Sequence, residues 1–278
     1  MNPIGIMQGR LLPPIDGRIQ CFPADGWAEE FDSAAEVGLE TIEWIYELYN
    51  EDRNPLRSEE TAGEITKAIA ASGVRVVSVC ADCCMEDPPV GPDGRPNDRC
   101  LTHLRGLLER AGGIGADCVV IPFVDSSSAL QAGESNIVRA LETLFDSIDR
   151  IGIELHLETD LPPKRLAQLM KDVGHDLVKV AYDTGNSASL GYDASEELAE
   201  WGACIGSVHL KDRVRGGGTV ALGDGDTDFT TIFKGLRDLA YSGPIILQVA
   251  RSEAGAELDW ARQNRAYVLD RLKTDSDV

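Results

Sequence analysis

Four polar side chains close four apolar runs in the second half of this chain, and their types suit the holding of a divalent cation. Glu158 ends IELHLE, Asp183 ends VKVAYD, His209 lies in IGSVHLKD and Gln248 in PIILQVAR. Read as strands, these runs alternate their side chains between two faces. Glu154, His156 and Glu158 then share one face, while Leu155 and Leu157 take the other. Lys179, Ala181 and Asp183 oppose Val178, Val180 and Tyr182, and Ser207, His209 and Lys211 fall together. Gln248 shares its face with Ile246 and Ala250. Ionisable groups turned into an interior are costly unless paired or bound. An oxygen-rich set with one imidazole suits Mn2+ first, with Mg2+, Co2+ and Zn2+ also within its range. Two carboxylates against a dication make a formally neutral shell, whose open positions could chelate neighbouring oxygens of a sugar. One strand-end carboxylate is more often structural or solvated than catalytic. Four candidates at matching height on successive strands point to one shared ion.

The elements that must position them recur along the whole chain. Strand candidates are Ile4–Gln8, Thr41–Tyr46, Arg75–Cys80, Cys118–Phe123, Ile153–Glu158, Val178–Asp183, Ile205–Leu210 and Ile245–Val249. Between them lie amphipathic stretches at Trp27–Val37, Ser58–Ala71, Asp98–Gly112, Glu134–Arg150, Pro163–Asp172, Ser195–Trp201, Asp228–Leu239 and Leu258–Leu272. Strand alternating with helix predicts parallel pairing. Eight such units over about 250 residues predict an α/β fold, a (β/α)8 TIM barrel, as a single domain spanning residues 1–278. Gly38, Gly73, Gly115, Gly152 and Gly174 fall where helices should stop. An open doubly wound sheet would usually carry a glycine-rich phosphate loop after its first strand, and no G-x-G-x-x-G follows it here. In a barrel, strand ends and the loops after them carry the chemistry. The turn-rich segment Asp87–Asn97 is therefore a candidate lid, and the Gly216–Gly218 run with LGDGD after it is a candidate anion-binding loop.

Composition narrows the function classes. The chain has 278 residues, 43% hydrophobic and 26% charged, as an ordinary globular protein does. Disorder is expected only over the polar tail Lys273–Val278. With 26 basic and 47 acidic residues the net charge is −21, which disfavours nucleic acid and anionic membranes as partners. No apolar stretch is long enough to span a bilayer and no signal peptide opens the chain, so a cytoplasmic location is expected. The seven cysteines fit reduced, largely buried thiols. Cys80-x-x-Cys83 has no second pair to complete a metal site. The expected partner is a small carbohydrate, and a homo-oligomer is left open.

The chain resembles the sugar phosphate isomerase/epimerase group of xylose-isomerase-like TIM barrels. The motifs that carry the likeness are IGIMQGR at the start, IEW at Ile42–Trp44, LHLET at Leu155–Thr159, YDTGN at Tyr182–Asn186, HLKDR at His209–Arg213, LGDGDTDF at Leu222–Phe229 and LQVAR at Leu247–Arg251. The resemblance implies one divalent metal held by Glu, Asp, His and Glu on the fifth to eighth strands. Glu158, Asp183 and His209 match that pattern, and Gln248 departs from it. A Gln carbonyl can ligate a metal but cannot carry the catalytic proton. The family's epimerases work through an enediolate with two glutamates on opposite faces of a ketose.

Glu158 thus remains as the base, and its opposite number must be sought elsewhere. Glu43, Asp82 and His156 are the candidates for a second acid, with Glu43 favoured because Ile42 and Trp44 take the outward face. Isomerisation along one face by Glu158 alone is the other outcome. Lys211 and Arg251 are candidate receivers of a substrate phosphate or carboxylate, and Asn186 and Asp82 candidate substrate contacts. A buried ion-pair role for Glu43 and a satisfied interior role for His156 stand beside these readings. The competing functions are an inosose-type dehydratase on the same site and a catalytically altered sugar-binding barrel. An abasic-site endonuclease is discounted, because the chain has only four histidines and a strongly acidic balance.

Overall fold

A computed structural model describes residues 2–273. Eight parallel strands close into a barrel in the order β1-β10-β7-β6-β5-β4-β3-β2. They are β1 (Ile4–Met7), β2 (Thr41–Ile45), β3 (Arg75–Cys80), β4 (Cys118–Phe123), β5 (Glu154–Thr159), β6 (Val178–Asp183), β7 (Ile205–Leu210) and, last in the chain, β10 (Ile245–Leu247). The two remaining strands, β8 (Asp212–Arg213) and β9 (Thr219–Val220), form a short antiparallel hairpin after β7. The expected strands therefore appear within a residue or two of their predicted bounds.

The helix layer is built from α1 (Glu29–Val37), α2 (Glu59–Ser72), α4 (Asp98–Gly113), α6 (Glu134–Glu142), α7 (Phe145–Ile151), α8 (Pro163–Val173), α10 (Ala194–Trp201), α11 (Phe229–Asp238) and α12 (Glu257–Lys273). Three short helices sit in loops that follow strands: α3 (Cys83–Glu86), α5 (Ala129–Ala132) and α9 (Thr184–Leu190). Lys273 closes α12, and the rest of the tail expected to be disordered lies outside the described residues. No helix among the described residues is long and apolar enough to cross a membrane.

The single helix expected over Glu134–Arg150 is instead two. Thr143 Oγ1 donates to Ala140 O at 2.7 Å, competing for a helical acceptor. Arg105 takes the Thr143 carbonyl at 3.1 Å, and Leu144 turns fully into the core. The chain breaks there and restarts as α7.

Outward strand residues such as Leu155, Leu157, Val178 and Val180 are buried under the helices. Inward residues include a polar set low in the barrel: His156 bonds Ser207 Oγ and Glu154 Oε2, each at 2.8 Å. The register between β6 and β7 shifts at Val180/Ala181. Gly206, beside that shift, leaves room for the His156 ring. A β-carbon there would overlap the imidazole and lie 2.7 Å from Lys179 Cβ. Gly206→Ala should therefore destabilise the barrel by about 1–3 kcal/mol through overpacking. Urea unfolding measures this, and an unchanged midpoint would show that the interior yields there at no cost.

Candidate metal centre

Glu158, Asp183 and His209 come together at the C-terminal end of the barrel. One potential ligand atom from each lies within 4.8 Å of the others, and all three side chains are buried. β5 delivers Glu158 and β7 delivers His209. Asp183 ends β6 and caps α9, where its Oδ1 accepts the Asn186 amide N–H at 2.8 Å. That cap leaves Oδ2 facing Lys211 Nζ at 3.3 Å. Gln248 follows β10, and its Oε1 accepts from the same ammonium at 3.2 Å. Lys211 thus sits between two of the four expected ligands.

The charge state of this cluster follows from its burial. Desolvation first, then the Asp183 charge, pushes the Glu158 carboxyl up, against the pull of His209 and Lys211. For His209, burial alone would discharge the ring. The Glu43, Glu158 and Asp183 carboxylates outweigh it and hold the imidazole protonated well above its usual range. His209 Nε2 lies 2.8 Å from Glu43 Oε1, and Nδ1 lies 3.7 Å from Glu158 Oε2. Nε2 is engaged by the Glu43 carboxylate, whereas the buried Nδ1 has no hydrogen-bond partner. Such orphaned polar atoms are rare in interiors and ask for an explanation. A cation on the Nδ1 side supplies one and fits the donor set. Ligation would require the imidazole proton to leave.

Glu43 occupies a different place from the one expected of a second acid. It is wholly buried, with Oε2 accepting from Ser78 Oγ at 2.6 Å and Oε1 against His209. Its parity is inward, as read from the sequence, but it backs the imidazole instead of facing the mouth. His156, also a candidate acid, has both ring nitrogens engaged by Ser207 and Glu154 one layer below. It is the satisfied interior histidine. The guanidinium of Arg251 is spent on the backbone carbonyls of Ile19, Gly9 and Leu12. Asn186 is placed among the carboxylates. Its Nδ2 donates to Glu158 Oε1 at 2.6 Å and its Oδ1 accepts from Arg213 at 2.8 Å.

Asp82, just past β3, is buried. Its Oδ2 accepts from Gln20 Nε2 at 2.7 Å and its Oδ1 from Cys80 Sγ at 3.1 Å. Burial raises its carboxyl to about 6, with those two donors holding it down. Gln20 Oε1 in turn accepts from Gln248 Nε2 at 3.1 Å. One chain of polar contacts therefore runs Asp82–Gln20–Gln248–Lys211–Asp183 across the mouth. Gln20 and Arg213 were not singled out from sequence. Arg213 closes the HLKDR motif, but Gln20 lies in an aperiodic loop that carries no signal.

The loop between β1 and α1 brings Gln20 into place because both its ends are clamped. Glu30 Oε1 accepts from Gly9 N at 2.7 Å and Leu11 N at 3.3 Å. Glu47 Oε1 accepts from Phe22 N at 2.7 Å and Cys21 Sγ at 3.1 Å. Gly9 turns at φ +80°, where a β-carbon would lie 2.8 Å from Cys21 O. Arg10 adds a bond to Val249 O at 3.1 Å and another to Ile19 O.

Asn186 connects the cluster to the smaller of two neighbouring cavities. One of about 240 Å3 is lined by Asp125, Ser128, Gln131, Asp160, Asn186 and Arg213, among others. A larger one of about 630 Å3 shares Ser128 and Gln131 and runs under the Asp87–Asn97 loop. That loop is pinned by its own bonds, including Asn97 Nδ2 to Asp87 Oδ1 at 2.7 Å.

A family model described as the xylose isomerase-like TIM barrel matches residues 31–270. An L-ribulose-5-phosphate 3-epimerase from Salmonella heidelberg is 24% identical over 257 residues, covering 86% of this chain and 90% of its own length. An inosose dehydratase from Clostridium perfringens is 30% identical over 127 residues, 39% of this chain and 43% of its own. A xylose isomerase-like TIM barrel protein from Mycobacterium smegmatis, solved in complex with magnesium, superposes with a TM-score of 0.73 at 22% identity. That match covers 98% of this chain and 97% of the other.

Two predictions follow from this geometry. Glu43→Gln should weaken Mn2+ binding by about 10–100-fold, because the ring loses the carboxylate behind it. Calorimetric titration with Mn2+ measures it, and unchanged affinity would remove Glu43 from any role in orienting His209. The second concerns Glu30, whose carboxyl burial raises from 4.5 to about 7. The folded state binds this proton more tightly than the unfolded chain, so stability falls as pH rises from about 4.5 through about 7. Glu30→Gln should lack that loss. The Tm of the variant relative to wild type should rise by on the order of 5 °C between pH 5 and pH 8. A gap that stays constant with pH would contradict it.

Proposed function

Because this chain belongs to the xylose isomerase-like TIM-barrel family, we propose that it is a divalent-metal-dependent isomerase or epimerase of a small sugar or sugar phosphate. The observation that carries this reading is the buried Glu158–Asp183–His209 cluster with its unpartnered imidazole nitrogen. Glu158, Asp183 and His209 would hold the ion, with Gln248 Oε1 as a neutral fourth donor. The ion's contribution when bound is electrophilic stabilisation of negative charge developing on the substrate's oxygens. The donor chemistry admits Mn2+ first, and Mg2+, Co2+ or Zn2+ beside it.

Proton movement falls to the chain's own carboxyls. Glu158 takes the proton from the carbon beside the substrate carbonyl, leaving an enediolate. Asn186 pins Glu158 Oε1, and Oε2 is the oxygen on the His209 side. Lys211 and Asn186 contribute by fixing the carboxylates and can meet substrate oxygens from the same side.

Asp82 is the second acid in this reading. Glu43 and His156 are both committed to other partners, whereas Asp82 meets only the neutral donors Gln20 Nε2 and Cys80 Sγ. Asp82 also lies near enough for its charge to raise the Glu158 carboxyl. Its own value of about 6 lets it donate and accept protons near neutrality. Glu158 and Asp82 approach from β5 and from the end of β3, so a ketose between them could lose its carbon-bound proton to one, and the planar enediolate so formed could regain a proton from the other. Without Asp82 the same site would return the proton from Glu158.

The likeness to an inosose dehydratase over 127 residues favours a second reading, a lyase. It would begin with the same proton abstraction and then expel hydroxide. Product mass separates the two, because only the lyase product has lost water.

Glu158→Gln in the Mn2+-loaded enzyme should abolish exchange of the substrate's carbon-bound proton with D2O. Asp82→Asn should preserve that exchange while slowing formation of the epimer by about 10²–10⁴-fold. Wild-type exchange in Glu158→Gln would place the base elsewhere. Wild-type epimer formation in Asp82→Asn would remove the second acid.

A further inference from the structure

Arg10, Arg213 and Arg251, three arginines near the mouth, are committed to the protein itself. Arg10 serves the carbonyls of Val249 and Ile19, and Arg251 serves those of Ile19, Gly9 and Leu12. Arg213 gives Nε and Nη2 to Gly217 O, at 3.1 and 2.8 Å, and Nη1 to Asn186. Lys211 is divided between Asp183 and Gln248. Arg215, farther along the hairpin, is exposed and lies out against Gly191.

The backbone device that could have received an anion is filled as well. In the candidate anion loop, the Gly216–Gly218 run with LGDGD after it, the LGDGD part instead wraps a side chain of its own chain. Gly223 N, Gly225 N and Thr227 N donate to the Asp212 carboxylate at 2.8, 3.0 and 3.2 Å, and Asp212 is completely buried. An internal carboxylate occupies the position a phosphate or substrate carboxylate would take.

What remains facing the cavities is acidic or neutral. The smaller cavity presents Asp125 and Asp160 beside the committed Arg213, together with Ser128 and Gln131. The larger presents Asp87, with serine and asparagine side chains and backbone. A phosphate ester entering either cavity would lie beside carboxylates, and Arg213, the one cation lining them, is already engaged, so its burial there is costly. Hydroxyl groups would find both donors and acceptors.

We propose that the carbohydrate this site takes is an uncharged polyhydroxy ketone, carrying neither phosphate ester nor carboxylate. The inference rests on the sugar isomerase or epimerase reading above and narrows its substrate class.

The test uses the full chain loaded with Mn2+ and pairs of ketoses that differ only in a terminal phosphate. Binding is read by calorimetry and proton exchange by deuterium incorporation from D2O. Free ketoses should show kcat/KM roughly 100-fold above their esters. Esters that match or exceed the free sugars in either readout would overturn the proposal. Binding confined to free ketoses with no exchange in any sugar would uphold this inference while sinking the proton-transfer reading. Failure of every ketose to bind would overturn both. A charge-gain variant tests the placement: Gln131→Arg puts a guanidinium between the two cavities. It should shift the ester-to-free ratio of kcat/KM toward the ester by about tenfold or more. An unchanged ratio would overturn the placement of the substrate's far end in these cavities.

Discussion

Taking carboxylates out of water into the C-terminal end of the barrel is the constraint on which the rest of this structure turns. Glu43, Glu158, Asp183 and Asp82 are all buried at or near one end of the strands. Against them stand one imidazole, one ammonium and a few amide hydrogens. Charges so placed are stable only when matched, and the surrounding residues read as the means of matching them. Glu43 leans on Ser78 and His209, Asp183 on the first turn of α9, Glu158 on Asn186, and Asp82 on Gln20. The balance stays short of positive charge among these carboxylates, and His209 Nδ1 beside them has no hydrogen-bond partner. A dication placed among Glu158, Asp183 and His209 would make up that shortfall.

The same constraint explains why the loops take the forms they do. α9 begins where it does because Asp183 is both strand end and helix cap. The loop from Gln8 to Phe22 crosses toward the mouth because Glu30 and Glu47 clamp its two ends. The price of those clamps is two further buried carboxylates, held by backbone N–H groups instead of cations. Arg10 and Arg251 then close the loop onto the strand ends. Arg10, Arg213 and Arg251 thus serve architecture.

Much of this was legible in the sequence, for reasons that differ by element. Strand periodicity is local, so β3, β4, β6 and β7 fall within the predicted bounds, and the inward parity of Glu158, Asp183 and His209 follows from alternation alone. The break between α6 and α7 was hidden because Thr143 is compatible with a helix until its hydroxyl finds Ala140 O. Inward parity placed Glu43 and His156 on the right face without saying at what height or against whom. Those partners, Ser78 and His209 for one and Ser207 and Glu154 for the other, come from distant strands. Gln20 could not be found at all, because a loop's reach across a mouth depends on clamps supplied from α1 and from the end of β2. Asp212 filling the glycine loop is the same kind of fact: the motif announces an anion nest, and only the fold shows that the chain supplies its own anion.

The most direct test of the metal centre is anomalous diffraction at the manganese edge from crystals soaked in Mn2+. The account predicts a single strong peak within bonding reach of Glu158, Asp183 and His209. A peak elsewhere, or none at a concentration that saturates binding in solution, would contradict it.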